Sequence, residues 1–464
     1  MELKILRTLM LFFPYFLSLD LLADAANSTS INDKIDQVVE LAIKEFNIPS
    51  VSLSIVKEEK LFYKQAYGYA QLEPKVLAKA HMPYRIASIS KQFLAVSILL
   101  LAEEGKLKLD DPISKYLKNV NQKYVITIRQ LLSHTSGLQD YFPQDYTPPY
   151  MLQAIEPKEI LTKWGTKSLD FTPGEQFQYS NLGYIAAGLI IEKVTKRPLS
   201  EFFHKRIFKP LEMNSAIDAS DAKQINPLHE LVKGYFVYAL GPHHREQYEG
   251  FGWLFGAGGL SMTAEDLSKW NIAILQEKLM SRKSYAEFEK EVLLSNGMGT
   301  NYGLGVGLDK VKGQRVLRHS GEASGFTSQN IVFPESGMSV SIFVNQAATS
   351  ASRIIADRIC DILLESISLE NINDVQKMIE SLQKGQIDRS KLTENANFYF
   401  SSQAIEDYKN SLALLGSIKT VNQISSSLRG GMKSRILKVS FDSKIITVML
   451  IEKFDGMIEQ FIVH

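Results

Sequence analysis

The chain has one cysteine, Cys360, among its 464 residues, so no intramolecular disulfide can staple it in any compartment. It has no excess of either charge: 52 Lys and Arg stand against 51 Asp and Glu, a formal net charge of +1. No global field draws it to nucleic acid or to anionic lipid. No stable membrane span is expected, because the N-terminal apolar run from Leu9 to Leu19 is too short and Pro14 interrupts it. Two hydrolase designs are missing as well. There is no Gly-x-Ser-x-Gly, which excludes a nucleophile elbow, and no His-Glu-x-x-His. The eight histidines show no zinc-ligand spacing. No metal or other cofactor is expected.

Three short motifs are present, in one order: Ser88-Ile89-Ser90-Lys91, Tyr179-Ser180-Asn181 and His319-Ser320-Gly321. Positions three apart on a helix share a face, so Lys91 can set its amine beside the Ser88 hydroxyl. Residues 91–102 are apolar nearly all round, the pattern of a helix buried on every side. A lysine there is partly desolvated, which disfavours the ammonium and leaves an amine able to take the serine proton. Ser88 is predicted at the helix N-terminus, where backbone N–H groups favour developing negative charge. Other Ser-x-x-Lys sequences, at Ser54, Ser220 and Ser381, have no buried helix behind them.

Tyr179 supplies a second proton carrier, general base and then acid. It falls on a loop between the Pro173-Gly174 turn and a helix predicted over 182–194. Asn181 can hydrogen-bond Lys91 or a substrate carbonyl. His319 follows Val316-Leu317 and precedes a strand-like run at 329–333, which suits an edge strand lining a cleft. Gly321 lets that backbone approach a substrate closely.

Together the motifs resemble the signature of serine β-lactamases, penicillin-binding proteins and their esterase and D-aminopeptidase relatives, with the class C-like members nearest in pattern. Thr127-Ile128-Arg129-Gln130-Leu131-Leu132-Ser133-His134-Thr135-Ser136-Gly137-Leu138 is similar to a helix and turn of that family, with Thr127 as cap. The glycine-rich stretch 256–267 matches a second segment. The resemblance implies Ser88, Lys91 and Tyr179 as catalytic residues, and Asn181, His319, Gly321 and Glu322 around the substrate. The backbone N–H groups of Ser88 and Glu322 would form the oxyanion hole. Where β-lactamases carry lysine this chain has His319, a residue mostly neutral at pH 7, so esterase or peptidase chemistry is expected ahead of β-lactam turnover. His134 reads as a turn histidine satisfied by backbone.

Lys4 and Arg7, the apolar run and Ala23-Asp24-Ala25 read as a secretory signal peptide over residues 1–25, hence a secreted or periplasmic protein. Residues 26–369 are expected to form the β-lactamase-like hydrolase domain, and 370–464 a small α+β domain, cone-like or lipocalin-like. The expected fold class is α/β, multidomain α+β: an antiparallel sheet built from both chain ends, flanked by helices, plus an all-α lobe. Periodicity predicts a helix at 35–47, a hairpin at 50–57 and 61–69, strands at 329–333 and 338–345, and a closing helix at 354–364 that buries Cys360. Three more strands are predicted at 436–441, 445–454 and 457–463, and His243-His244 is read as a polar loop.

The expected function is a serine hydrolase acting through a Ser88 acyl-enzyme on esters, amides or D-amino-acid peptides. Its partner is a small-molecule or peptide substrate, with cell-wall fragments among the candidates; oligomeric state is left open. The alternatives are a β-lactamase or penicillin-binding DD-peptidase, and a non-enzymatic sensor or scaffold that binds cell-wall fragments. The aromatic segments 141–150 and 251–255 are candidate walls of an acyl pocket.

Overall fold

A computed structural model describes residues 30–464 apart from 119, 122, 143–145, 226–227, 229–230, 240, 430–431 and 454–455, with backbone alone at 365–371 and 426–429. The expected signal peptide lies outside the described residues. Helix α1 (Ile31–Glu45) starts at a capping box, in which Ser30 and Asp33 take up each other's backbone N–H. Its buried Ile35, Val39 and Ala42 recur at helical spacing and face the core.

Strands β1 (Ser50–Lys57) and β2 (Lys60–Gln71) form the predicted hairpin, and the short β3 (Val76–Leu77) joins its edge. The helical middle contains α2 (Ser90–Glu103), α3 (Asn181–Thr195) and α4 (Ala264–Leu275). Four strands then return: β4 (Gly307–Val311), β5 (Gln314–Ala323), β6 (Phe326–Phe333) and β7 (Met338–Val344). They complete a seven-stranded antiparallel sheet in the order β3-β2-β1-β7-β6-β5-β4. Both chain ends meet where β1 pairs with β7, Val51 opposite Val344. Strands β6 and β7 are buried throughout, as expected for strands covered on both faces. One face packs on α1 and on helix α5 (Ala351–Gln383), and the other on α4. Asn271 of α4 satisfies the buried polar groups on that side, its Nδ2 donating to Asn330 Oδ1 at 2.9 Å and to Ser339 and Ser341 Oγ at 3.1 Å.

Helix α2 is buried at every position from Ser90 to Leu101, and Phe93 stacks on Trp270 of α4 at 4.0 Å between centroids. That contact ties the helical lobe to the sheet. Thr127 caps the helix Ile128–Leu132 through a capping box with Gln130.

Two features differ from expectation. The closing helix does not stop near 364; α5 continues to Gln383. Its Ile355, Ile359 and Leu363 belong to the core under the sheet, while its Val375, Ile379 and Leu382 belong to a separate C-terminal core. The boundary expected near 369 therefore falls inside an unbroken helix. The C-terminal unit has four strands rather than three: β8 (Ile418–Arg429), β9 (Met432–Phe441), β10 (Ile445–Glu452) and β11 (Ile458–Val463), paired as an open antiparallel meander in that order. β8 escaped notice because it is an edge strand rich in Ser, Asn, Gln and Lys, types depleted in buried strands. His243-His244 is likewise no loop; it sits on a short strand paired with Tyr235–Val237.

Candidate active site

Ser88 does not begin the α-helix. It sits in the 3₁₀ turn Ala87–Ile89 immediately before α2. Ala87 there has φ +47°, a left-handed conformation that alanine rarely adopts, and such strain persists where the surroundings over-determine it. They do so here. The Ser90 hydroxyl donates to Ala87 O at 2.6 Å and accepts from Leu260 N–H at 3.1 Å. Ile86 N–H in turn donates to Leu260 O.

Lys91, wholly buried, has three acceptors around Nζ: Ser88 Oγ at 2.9 Å, Asn181 Oδ1 at 2.9 Å and Ala257 O at 2.6 Å. Desolvation lowers its pKa to about 7, against the opposing pull of the Asp140 carboxylate. At neutral pH the amine is thus present in quantity, and it lies within transfer distance of the Ser88 proton.

Tyr179 lies on the cleft wall with about a third of its surface exposed (36 %). Lys91 Nζ is 4.8 Å from the centre of its ring. Desolvation pushes the phenol pKa upward, and the neighbouring Ser88 hydroxyl pulls it partly back. His134 backs this ring, stacked at 4.2 Å. Its Nδ1 accepts the Ser180 N–H at 3.1 Å, so the expected backbone satisfaction is half the account. The other ring nitrogen, Nε2, is buried without a hydrogen-bond partner among the described residues, and burial holds the imidazole well below its ordinary pKa.

His319 sits 2.6 Å from Ser320 O through Nδ1 and 2.8 Å from the Tyr302 hydroxyl through Nε2. A carbonyl only accepts, so Nδ1 carries the hydrogen and Nε2 accepts from Tyr302. Burial and the nearby Lys91 depress its pKa to about 4. The ring is a fixed neutral group, not a cation.

Gly321 lines the cleft and also meets the turn that carries Ser88. A Cβ there would fall 2.2 Å from Ile86 O and 3.1 Å from the Ala87 Cβ, so the close approach is to the nucleophile turn itself. β5 is thereby pressed against that turn. The Glu322 carboxylate is committed elsewhere, accepting the Ala348 N–H at 2.7 Å.

Sequence reasoning missed Asp140 and Tyr302. Asp140 accepts from Asn181 N–H and Nδ2, both at 3.0 Å, a pairing between residues too far apart in sequence for spacing to reveal. All seven expected site residues except the buried Lys91 line one cleft of about 860 Å³, together with Asp140 and Tyr302. Phe142, Tyr146 and Leu254 also line it. Tyr141 and Trp253 instead pack in the core.

The family model for beta-lactamase matches residues 33–361. The chain is 29% identical over 324 residues to protein flp of Staphylococcus aureus (strain N315), covering 67% of this chain and 62% of that one. It thus spans about three-fifths of that relative's length. A D-stereospecific amidohydrolase from Streptomyces sp. superposes with a TM-score of 0.60 at 28% identity, over 70% of this chain and 97% of that one. The octameric penicillin-binding protein homologue from Pyrococcus abyssi shares the fold over 93% of this chain and 99% of its own, with a TM-score of 0.61 at 20% identity. With a matched span that takes in all three motifs and the sheet beneath them, the chain belongs to the beta-lactamase family.

Proposed function

We propose that the chain is a serine hydrolase that forms an acyl-enzyme at Ser88 and turns over esters, amides or D-amino-acid peptides in preference to β-lactams. The observation that carries this is the Lys91 amine, desolvated and 2.9 Å from Ser88 Oγ. Lys91 takes the serine proton as Oγ attacks the carbonyl carbon. The backbone N–H groups of Ser88 and Glu322 receive the oxyanion. Tyr179, its phenol held protonated at neutral pH, relays a proton to the leaving group. Base and acid roles thus divide between Lys91 and Tyr179, the two proton carriers the sequence offered. Water then enters on the same relay and releases the acid.

Preference against β-lactams is supported by His319, a neutral ring where a fixed cation would meet the antibiotic carboxylate. Amide turnover is supported by the 28% identity to the Streptomyces amidohydrolase. The signal-like N-terminus supports secretion or a periplasmic location. The C-terminal unit, which lies outside the segments that carry Ser88, Tyr179 and His319, is proposed to shape the entrance or to pack against a partner.

The test is turnover of p-nitrophenyl butyrate and of nitrocefin by the protein beginning at Ala26 and by Ser88→Ala. Ester turnover lost in the variant, with nitrocefin slow or inert, is the expected result. Fast nitrocefin turnover would make it a β-lactamase. No turnover of either, with a stable Ser88 adduct by mass spectrometry, would indicate a penicillin-binding peptidase or sensor. No adduct at all would indicate a scaffold.

A further inference from the structure

Glu246 stands beside the far end of β5. Its N–H donates to Gly234 O at 2.9 Å. Gly234 is pressed onto the turn after β5 so tightly that a Cβ on it would fall 2.7 Å from the Gly325 Cα. Glu246 lines the same cleft as Ser88 and is part-buried. Among the described residues its carboxylate meets the Gln247 N–H and no counter-ion.

Its neighbour Glu249 is fully engaged, accepting Arg85 Nη1 at 2.7 Å and the Ser324 hydroxyl. The Arg85 guanidinium is paired with Glu249, so among the described residues the Glu246 carboxylate is left without a cation of its own. Burial and the charge of Glu249 raise the Glu246 carboxyl above its ordinary pKa, which marks a group that a counter-ion would stabilise. Other charged side chains of the cleft are committed. Asp140 holds Asn181, Glu322 holds the Ala348 N–H, Arg318 holds Asp309 at 2.8 Å, and Arg353 reaches Asp357 at 3.5 Å.

The direction along the cleft follows from the proposed chemistry. Tyr179, its ring 6.3 Å from that of His319, hands the proton to the leaving group. The leaving group therefore lies toward His319, and the acyl group runs the other way along β5, past Glu322 toward Ser324. We infer that Glu246 is a specificity determinant that receives a cationic group, an ammonium or guanidinium, on the acyl part of the substrate. This rests on the acyl-transfer reading above. A buried or half-buried carboxylate discriminates strongly, because a neutral acyl group leaves it unpaired.

The test compares methyl esters in isosteric pairs, followed by proton release in a pH-stat: racemic alanine against isobutyrate, and 6-aminohexanoate against heptanoate. The two lengths cover a cation near to or far from the carbonyl. Wild type should favour the cationic member of at least one pair in kcat/KM. Glu246→Gln should reduce that ratio roughly tenfold to a hundredfold, the range for a hydrogen bond to a charged group. Turnover without cationic preference, or a preference that survives in Glu246→Gln, overturns the inference alone. Failure of wild type to turn over any of the four esters overturns the acyl-transfer reading and the inference with it.

Discussion

Asp140 holds Asn181 at two points, accepting its backbone N–H and its Nδ2 at 3.0 Å each. A carboxylate accepts only, so the amide must turn its nitrogen toward Asp140 and its oxygen toward Lys91. Asp140 is thus a positioning residue. It fixes an acceptor, rather than a donor, against Nζ.

Asp140→Asn should release that orientation and lower kcat/KM for an ester roughly tenfold. It should also move the acid limb of the pH profile downward. The Asp140 charge raises the Lys91 pKa, so its removal lets the amine form at lower pH. A drop in rate with an unmoved limb would mean that Asp140 acts only on folding.

In wild type the acid limb itself should lie near Lys91's pKa of about 7, with activity rising as pH rises through it, because the neutral amine is the reacting form. His319, at about 4, should add no step to the profile above about pH 5. A limb retained in Lys91→Ala would assign it to another group.

The same lysine should leave a signature in stability. Unfolded, it titrates near 10.5; folded, near 7. Below the folded value both states hold the proton, and folding bears the full cost of burying it. Between the two values the unfolded chain binds more protons, so wild type should gain on Lys91→Met by up to about 1.4 kcal/mol per pH unit. Urea titrations from about pH 7 to 9 check this, and a pH-independent difference would contradict it.

Tyr179→Phe should cut kcat by about 10²- to 10⁴-fold, the usual worth of a positioned proton carrier. Labelling of Ser88 by a fluorophosphonate, whose leaving group needs no proton, should fall far less. Equal losses in both assays would remove Tyr179 from the relay.

Gly321→Ala tests the turn. The new Cβ would meet Ile86 O at 2.2 Å, so strand and turn must part, at a cost of about 1–3 kcal/mol. A thermal melt should show the loss together with reduced ester turnover. An unshifted melt would show that β5 can yield.

Much of this was legible in the sequence because it is local. Spacing of three put Lys91 beside Ser88, and the all-round apolar run after it foretold a buried helix and a weakened ammonium. Alternation foretold the β1–β2 hairpin and the return of β6 and β7. What escaped depends on contacts across the chain: Asp140 reaching Asn181, Tyr302 donating to the His319 ring, and Gly321 meeting a carbonyl more than two hundred residues away. The length of α5 escaped for another reason. A helix can pass from one core to another with a polar stretch between, and such a stretch looks like a boundary.

That helix has a mechanical meaning. Thirty-three residues at a rise of about 1.5 Å each make a rod of about 50 Å, packed at one end beneath the seven-stranded sheet and at the other in the core of the C-terminal meander. A rod clamped at both ends cannot pivot as a peptide tether does; it can only bend or twist. Torque applied to the last hundred or so residues would reach β7 and β6 directly, and β6 pairs with β5.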